Sequence, residues 1–426
     1  MTAENTIKAL LCKTGVTLFL IYSFFVGLNI SIFTNPISLS FWLILALFFI
    51  LCATGIPSFS INKITYLSWI CIAIIVFNRN YRLSNGVYKT ELKICIMLLA
   101  FMFLCSTSYW HTILIPSMVF FGSFYSLSTI ILYIFPQLYF NIVVPLFGGA
   151  MIRAVNKGLA AGFSAHYSTT AIYLVTTITV PISVFIKKYL NEKYSKFYLF
   201  LTILIISALL LTGKRAHTIF VLLSALVCYY VMNRKNGVGK VFKILMIAAT
   251  IIVAIIIASQ FIPALQNVML RFESTIEHGD VTSGRIKLIN LCFEMFKSSP
   301  LVGTGWGKFT FINPSGFVNG HCVYVQLLGE NGLLLSLPFY LFFIFNYVRS
   351  IKAAKVIASD STATKNTNIY IIYSVFIQTF FLLYCLTGNP LYDYQMFCPY
   401  ILGCAVSEYY YRQYYTQVLQ RKRVNK

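Results

Sequence analysis

Charge is scarce in this sequence. Only 10% of its 426 residues are Asp, Glu, Lys or Arg, against about a quarter in ordinary soluble domains. Acidic residues are fewest, 11 against 33 Lys and Arg. No Cys-x-x-Cys pair occurs among the 11 cysteines. Most of them (Cys52, Cys71, Cys95, Cys105, Cys228, Cys385 and Cys404) lie inside apolar runs, where a cysteine acts as a small hydrophobe. Outside one stretch, 262–320, the chain lacks a long hydrophilic segment, and it lacks a low-complexity tract and the internal repeat that marks many transporters. These absences exclude a soluble enzyme, a disordered tail and a disulfide scaffold. A nucleic-acid role has no motif and no continuous basic surface. No small-residue cleavage site follows Lys8 and Lys13, so the first apolar run is expected to stay as a membrane helix and not to be a removed signal.

Apolar residues make up 58% of the chain, with mean hydropathy +0.78. They recur in runs of roughly 17–25 residues, the length that spans a bilayer as a helix. The expected fold is all-α, a polytopic integral membrane protein of about 12–13 transmembrane helices. Candidate spans are 15–33, 37–56, 63–77, 92–109, 112–134, 137–152, 166–186, 197–212, 216–232, 241–261, 322–347, 368–388 and 396–410. Four parts follow: N-terminal helices over 1–157, central helices over 158–261, one large extracytoplasmic loop over 262–320, and C-terminal helices with a basic tail over 321–426.

Lys and Arg are retained on the cytoplasmic side of short loops. Four basic loops, at Lys187–Lys196, Arg234–Lys243, Arg349–Lys355 and Arg421–Arg423, are each two crossings apart and share one side. The loop 262–320 then faces outward, as does the turn with Lys214 and Arg215. A fifth basic loop, with Arg79, Arg82, Lys89 and Lys93, leaves two alternatives. If 137–152 crosses, about thirteen spans result and that loop obeys the rule. If Pro136, Pro145 and Gly148-Gly149 make 137–152 re-entrant, about twelve result, both termini lie inside, and that loop breaks the rule.

Chemistry is expected on the outer face, where the acidic residues cluster. Thr212-Gly213-Lys214-Arg215, followed by His217, puts two cations on the side that disfavours them; an anionic ligand or lipid phosphate would offset them. Ser283-Gly284-Arg285 opens an amphipathic stretch through Phe296, expected as a helix on the membrane surface. Pro300-Leu-Val-Gly303-Thr-Gly305-Trp-Gly307 lacks the strand and long helix of a dinucleotide fold, so its glycines are expected as turn formers. His321 immediately precedes an apolar helix, and a histidine there, titrating near neutrality, can serve as a base.

The order of these pieces resembles the O-antigen ligase and polymerase family of bacterial envelope glycosyltransferases. The matching residues are Thr212-Gly213-Lys214-Arg215-Ala216, Ser283-Gly284-Arg285, Pro300-Leu-Val-Gly303-Thr-Gly305, and His321 with Gly332 eleven residues on. Gly162-Phe163-Ser164-Ala165-His166-Tyr167-Ser168 resembles the family's outer-face entry to a helix. The resemblance covers roughly 158–345.

It implies an inverting, metal-independent glycosyl transfer that needs no cofactor, on the periplasmic face of a Gram-negative inner membrane. It implies an undecaprenyl-diphosphate-linked glycan donor and a glycan acceptor, with a chain-length regulator and a flippase as further partners. His321 would be the base, and Arg215, Arg285 and Arg271 would hold the diphosphate, since a guanidinium fork grips phosphate oxygens in pairs. Glu277, His278 and Asp280 stand as candidate sugar contacts. Two departures, Cys322 after the histidine and Leu335 three after the glycine, lean toward a polymerase over a ligase. A lipid-linked oligosaccharide transporter or flippase would instead carry charges at mid-membrane, and these spans are nearly charge-free.

Overall fold

The computed structural model describes residues 3–25, 36–54, 63–78, 85–156, 158–187, 195–233, 239, 285–313 and 319–415. Among them, every regular element is a helix. In chain order these are α1 (Ala3–Phe25), α2 (Pro36–Thr54), α3 (Lys63–Phe77), α4 (Asn85–Leu104), α5 (His111–Ile134), α6 (Pro136–Phe147), α7 (Tyr167–Ile186), α8 (Ser195–Leu211), α9 (Arg215–Met232), α10 (Arg285–Ser298), α11 (Val323–Ser359), α12 (Lys365–Tyr384) and α13 (Tyr394–Tyr410). Six of them, α1, α5, α7, α9, α11 and α12, are long and apolar enough to cross a membrane. The chain is an all-α, multi-pass membrane protein. Hydroxyl residues inside these helices are satisfied within them: Thr176 Oγ1, Thr202 Oγ1 and Ser224 Oγ donate to the carbonyls of Ile172, Tyr198 and Phe220 at 2.9, 2.8 and 2.7 Å. Such bonds let polar side chains sit in apolar helices without an orphan donor.

Contacts between helix ends fix the direction of each helix. At one end Tyr109, before α5, reaches Asn5 of α1 at 3.5 Å. Asn233, after α9, donates to the last carbonyl of α7 at 2.7 Å. There too Glu408 of α13 holds both Arg349 of α11 and Arg412. At the other end Ser23 of α1 donates to Gln395 O at 3.3 Å, Ala160 N donates to Leu211 O at 3.0 Å, and Val323 N donates to Cys385 O at 2.9 Å. Eleven described helices, all but α6 and α10, run between these two ends. The chain leaves α9 at the first end and enters α10 at the second, and the expected span 241–261 lies in that interval, outside the described residues.

Of the two alternatives for 137–152, the structure has the one that does not cross. α5 finishes, and α7 begins, at the same end. Between them α6 is broken: Pro136–Leu138 is α-helical, Tyr139–Val143 is a π turn and Val144–Phe147 is α-helical again, stopped by Gly148 at φ 81°. Pro136 and Pro145 each remove an amide from the ladder, and the widened turn between them folds the segment back. Its Tyr139, Val143 and Phe147 pack with Leu132 and Ala161. Among the described residues α1 starts at the same end as α13 finishes, and 137–152 does not cross. Asn78 lies at the other end, where its side chain donates to Glu330 O and Asn331 Oδ1 at 3.3 and 3.0 Å.

α12 and α13 form the centre of the bundle. They pack on each other, on α11 and, through α12, on α9. Phe381 stacks on Tyr400 with ring centroids 3.8 Å apart, and Ser374 donates to Gly403 O at 2.6 Å where glycine lets the helices approach. A helix apolar on every face belongs in such a position.

Candidate active site at one end of the bundle

α11 is two helices joined at Gly332, whose φ of 62° and ψ of −171° interrupt the ladder. The break strands carbonyls before it and amides after it, and the glycine-rich loop after α10 answers both. Thr304 N and Thr304 Oγ1 donate to Gly329 O at 3.2 and 3.1 Å, and Gly305 N donates to Glu330 O at 2.8 Å. In return Leu333 N and Leu334 N donate to Pro300 O and Leu301 O at 2.8 and 3.0 Å. A Cβ on Gly303 would sit 2.3 Å from Glu330 O, and one on Gly332 would sit 2.5 Å from Gly303 N. Gly303, Gly305 and Gly307 all have positive φ, which makes them the turn formers that the sequence suggested.

Glu330 is fully buried beneath this joint. Its Oε1 accepts from Gln326 Nε2 at 3.2 Å and from Phe309 N at 3.3 Å, and its Oε2 from Tyr392 OH at 3.4 Å. Gln326 Oε1 in turn accepts from Gly320 N at 2.8 Å. This network ties the glycine loop, α11 and the α12–α13 loop into one platform, and His321 stands on it.

His321 has φ 55°, and no other non-glycine among the described residues has positive φ. Holding a histidine there costs backbone energy, which the platform supplies. Its Nδ1 lies 3.3 Å from the Asn389 side-chain nitrogen. Burial, and then the charges of Arg285 and Lys214, lower its pKa to about 4. The expectation of titration near neutrality is thus corrected: His321 is neutral across the physiological range and keeps a lone pair to accept a proton.

The two named cations arrive from α9 and α10. Arg285 is the first residue of α10, whose buried stripe of Leu288, Cys292 and Met295 packs on α11. α10 thus lies against the bundle and not, as expected, simply on a membrane surface. Lys214 precedes α9 after a tight turn at Gly213, φ 66°. Its Nζ sits 4.6 Å over the ring of Tyr167, the first residue of α7. The entry to α7 is built as the sequence suggested: His166 Nδ1 caps the helix by accepting from Ser168 N at 3.0 Å. Burial, then Lys214, lower the His166 pKa to about 4 as well.

Sequence reasoning missed Asn389 and Asp393. Burial raises the Asp393 pKa to about 7, and Lys214 pulls it back. The available signal was topological: the loop between the last two spans must return to the end that holds His321. His217, on the first turn of α9, packs edge-on against Tyr384 at 4.6 Å, and the Tyr384 ring lies so close to Gly388 that a Cβ there would be 2.1 Å away. Of the expected site residues, the structure brings Arg285 and His321 together. Arg215 is half-buried at the first position of α9. Arg271, Glu277, His278 and Asp280 lie outside the described residues.

Residues 200–340 match the family model described as O-antigen ligase. Through that segment, about a third of the chain, the protein is similar to the O-antigen ligase family. The match spans α8, α9, α10 and the first half of α11, so it takes in Lys214, Arg215, Arg285 and His321 and stops short of Asn389 and Asp393. No curated protein matches the chain.

Proposed function

We propose that this protein is a glycosyltransferase that polymerises undecaprenyl-diphosphate-linked repeat units at the periplasmic face of the inner membrane. The observation that carries the reading is a neutral, buried-edge histidine facing Arg285 and Lys214 within the family-matched segment. The orientation rests on charge: the opposite end carries Arg349, Lys352, Lys355 and Arg412, as a cytoplasmic face does.

The step needs a base and a place for negative charge. The acceptor hydroxyl oxygen attacks the anomeric carbon from the face opposite the diphosphate, which inverts that centre. As the new C–O bond forms, the bond from the anomeric carbon to the phosphate oxygen breaks, and its electron pair leaves with the diphosphate. The hydroxyl proton goes to His321. Arg285 and Arg215 hold the diphosphate and take up the charge that builds on it. Bound diphosphate also offsets the cations that depress His321, so the base strengthens when the donor is in place.

The description of the matched family favours a second reading, a ligase that transfers the glycan to lipid A–core with the same site. A clean deletion in the native strain separates the two on a lipopolysaccharide gel. Core bearing one repeat unit without a ladder supports the polymerase. Bare core, with full-length glycan accumulating on undecaprenyl diphosphate, supports the ligase. An unchanged profile contradicts the ligase and moves the polymerase reading to capsule or exopolysaccharide repeat units.

A further inference from the structure

The loop from α12 to α13 is held against His321 by its backbone. Cys385 O accepts from Val323 N, two residues after His321, at 2.9 Å. Farther along, Asn389 O accepts from Tyr392 N and from Asp393 N, each at 2.9 Å. That turn brings Asp393 back beside Asn389, whose side chain reaches His321 Nδ1 at 3.3 Å.

Asp393 is the N-cap residue of α13, yet its side chain makes no cap. An aspartate there ordinarily accepts from the amide of the second or third helical residue. Here the third amide, Met396 N, goes to the Asp393 backbone carbonyl at 2.9 Å. The half-buried carboxyl has no hydrogen bond or ion pair among the described residues. Two more groups beside this loop lack partners. Asn389 is buried, and the end of its amide that does not meet His321 is unpaired. His217 is buried with neither ring nitrogen hydrogen-bonded. It lies edge-on to Tyr384 at 4.6 Å, and the Tyr384 ring closes on Gly388, the residue before Asn389. Buried polar groups without partners are few in native proteins, and several in one place mark where a ligand supplies the missing bonds.

We propose that the α12–α13 loop is the acceptor-sugar subsite, and that the Asp393 carboxyl binds an acceptor hydroxyl beside the one that attacks. The proposal rests on the reading of the site as a glycosyl transfer. Charge decides which substrate Asp393 meets. A carboxylate repels the donor's diphosphate. The acceptor offers hydroxyls, which donate to a carboxylate in charge-assisted bonds. Inversion agrees, because the acceptor enters opposite the diphosphate, on the side of the base, and Asp393 is tied to the base through Asn389. Asp393 also lies beyond residue 340, where the family match ends. His321 and Arg285 fall inside the matched segment and the acceptor contact falls outside it, a division that would let one chemistry serve different acceptors.

The test uses the full-length protein in nanodiscs with undecaprenyl-diphosphate-linked polymer as donor. The acceptor is the lipid-linked single repeat unit or lipid A–core, whichever the wild type uses, all from the native strain. Asp393→Leu should raise the KM for acceptor at least about tenfold, hold kcat within about threefold and leave the binding of undecaprenyl diphosphate unchanged. Asp393→Asn keeps an oxygen acceptor in the same place and should fall between wild type and the leucine variant. Both variants should melt no lower than wild type, because the carboxyl makes no bond within the described fold. Lys355→Gln, at the opposite end, is the control. An unchanged acceptor KM in Asp393→Leu overturns the proposal and leaves the broader reading in place, as does a loss of undecaprenyl diphosphate binding that matches the rise in KM. Wild-type protein that transfers to neither acceptor contradicts the glycosyl-transfer reading itself.

Discussion

The side chain of Asn389 meets His321 at Nδ1, 3.3 Å away, across 68 residues of sequence. For Nε2 to take a proton from an acceptor sugar, Nδ1 must carry the hydrogen and donate it. Asn389 can accept it by presenting Oδ1, which has no other hydrogen-bond partner. The residue therefore selects the tautomer, as an orienting carboxylate does for other catalytic histidines. Asn389→Leu should lower kcat at least about tenfold with little change in KM, and Asn389→Asp should retain more activity than the leucine variant. Steady-state kinetics on the two variants decides this; equal loss in both would remove the orienting role.

His321 also carries a backbone constraint, which dictates how it should be tested. Alanine is strained at φ 55°, whereas asparagine and glycine adopt that region readily. His321→Asn and His321→Gly should accumulate in the membrane at wild-type level and lose roughly 100- to 10,000-fold in rate. Normal glycan chains from either variant would exclude His321 as the base.

The pH dependence follows from the lowered pKa. Only neutral His321 accepts a proton, so activity is lost as pH falls through its pKa. In the free enzyme that value is about 4, and kcat/KM should hold level from neutrality down to roughly pH 5. In the donor complex the diphosphate offsets Arg285 and Lys214, so the acid limb of kcat should lie at higher pH than that of kcat/KM. Coincident limbs would mean that the donor does not sit against these cations.

Gly303 and Gly332 are expected to be intolerant of alanine. Each has positive φ, and each would drive a Cβ to within 2.5 Å of backbone atoms across the joint. Gly303→Ala and Gly332→Ala should each destabilise the protein by more than about 2 kcal/mol. Gly148 also has positive φ but nothing within 4 Å of its Cβ position, so Gly148→Ala should cost less than either. Thermal unfolding in detergent ranks the three; a Gly148→Ala loss equal to the others would show that φ alone decides.

Much of the fold was legible in the sequence because a bilayer leaves the chain few choices. Apolar runs of spanning length become helices, and the glycines of 303–307 become turns where no nucleotide fold surrounds them. The course of 137–152 was not legible, because apolar composition does not distinguish a crossing helix from one that two prolines and a π turn fold back. Arg285 and His321 were named through the resemblance, and in the structure the charge of Arg285 reaches His321. Asn389 was missed because its nearness to His321 depends on how α12 returns. The weak basicity of His321 depends on burial and on two distant cations, and neither is written in the residues beside it.

The most direct test is turnover by purified protein in nanodiscs supplied with undecaprenyl-diphosphate-linked repeat units from the native strain. Wild-type protein should lengthen the glycan and release undecaprenyl diphosphate in step, and His321→Asn and Arg285→Gln should do neither. Release and lengthening that persist in His321→Asn, or a wild-type protein that moves the lipid-linked glycan across the bilayer without breaking the sugar–phosphate bond, would contradict a glycosyl transfer at this site.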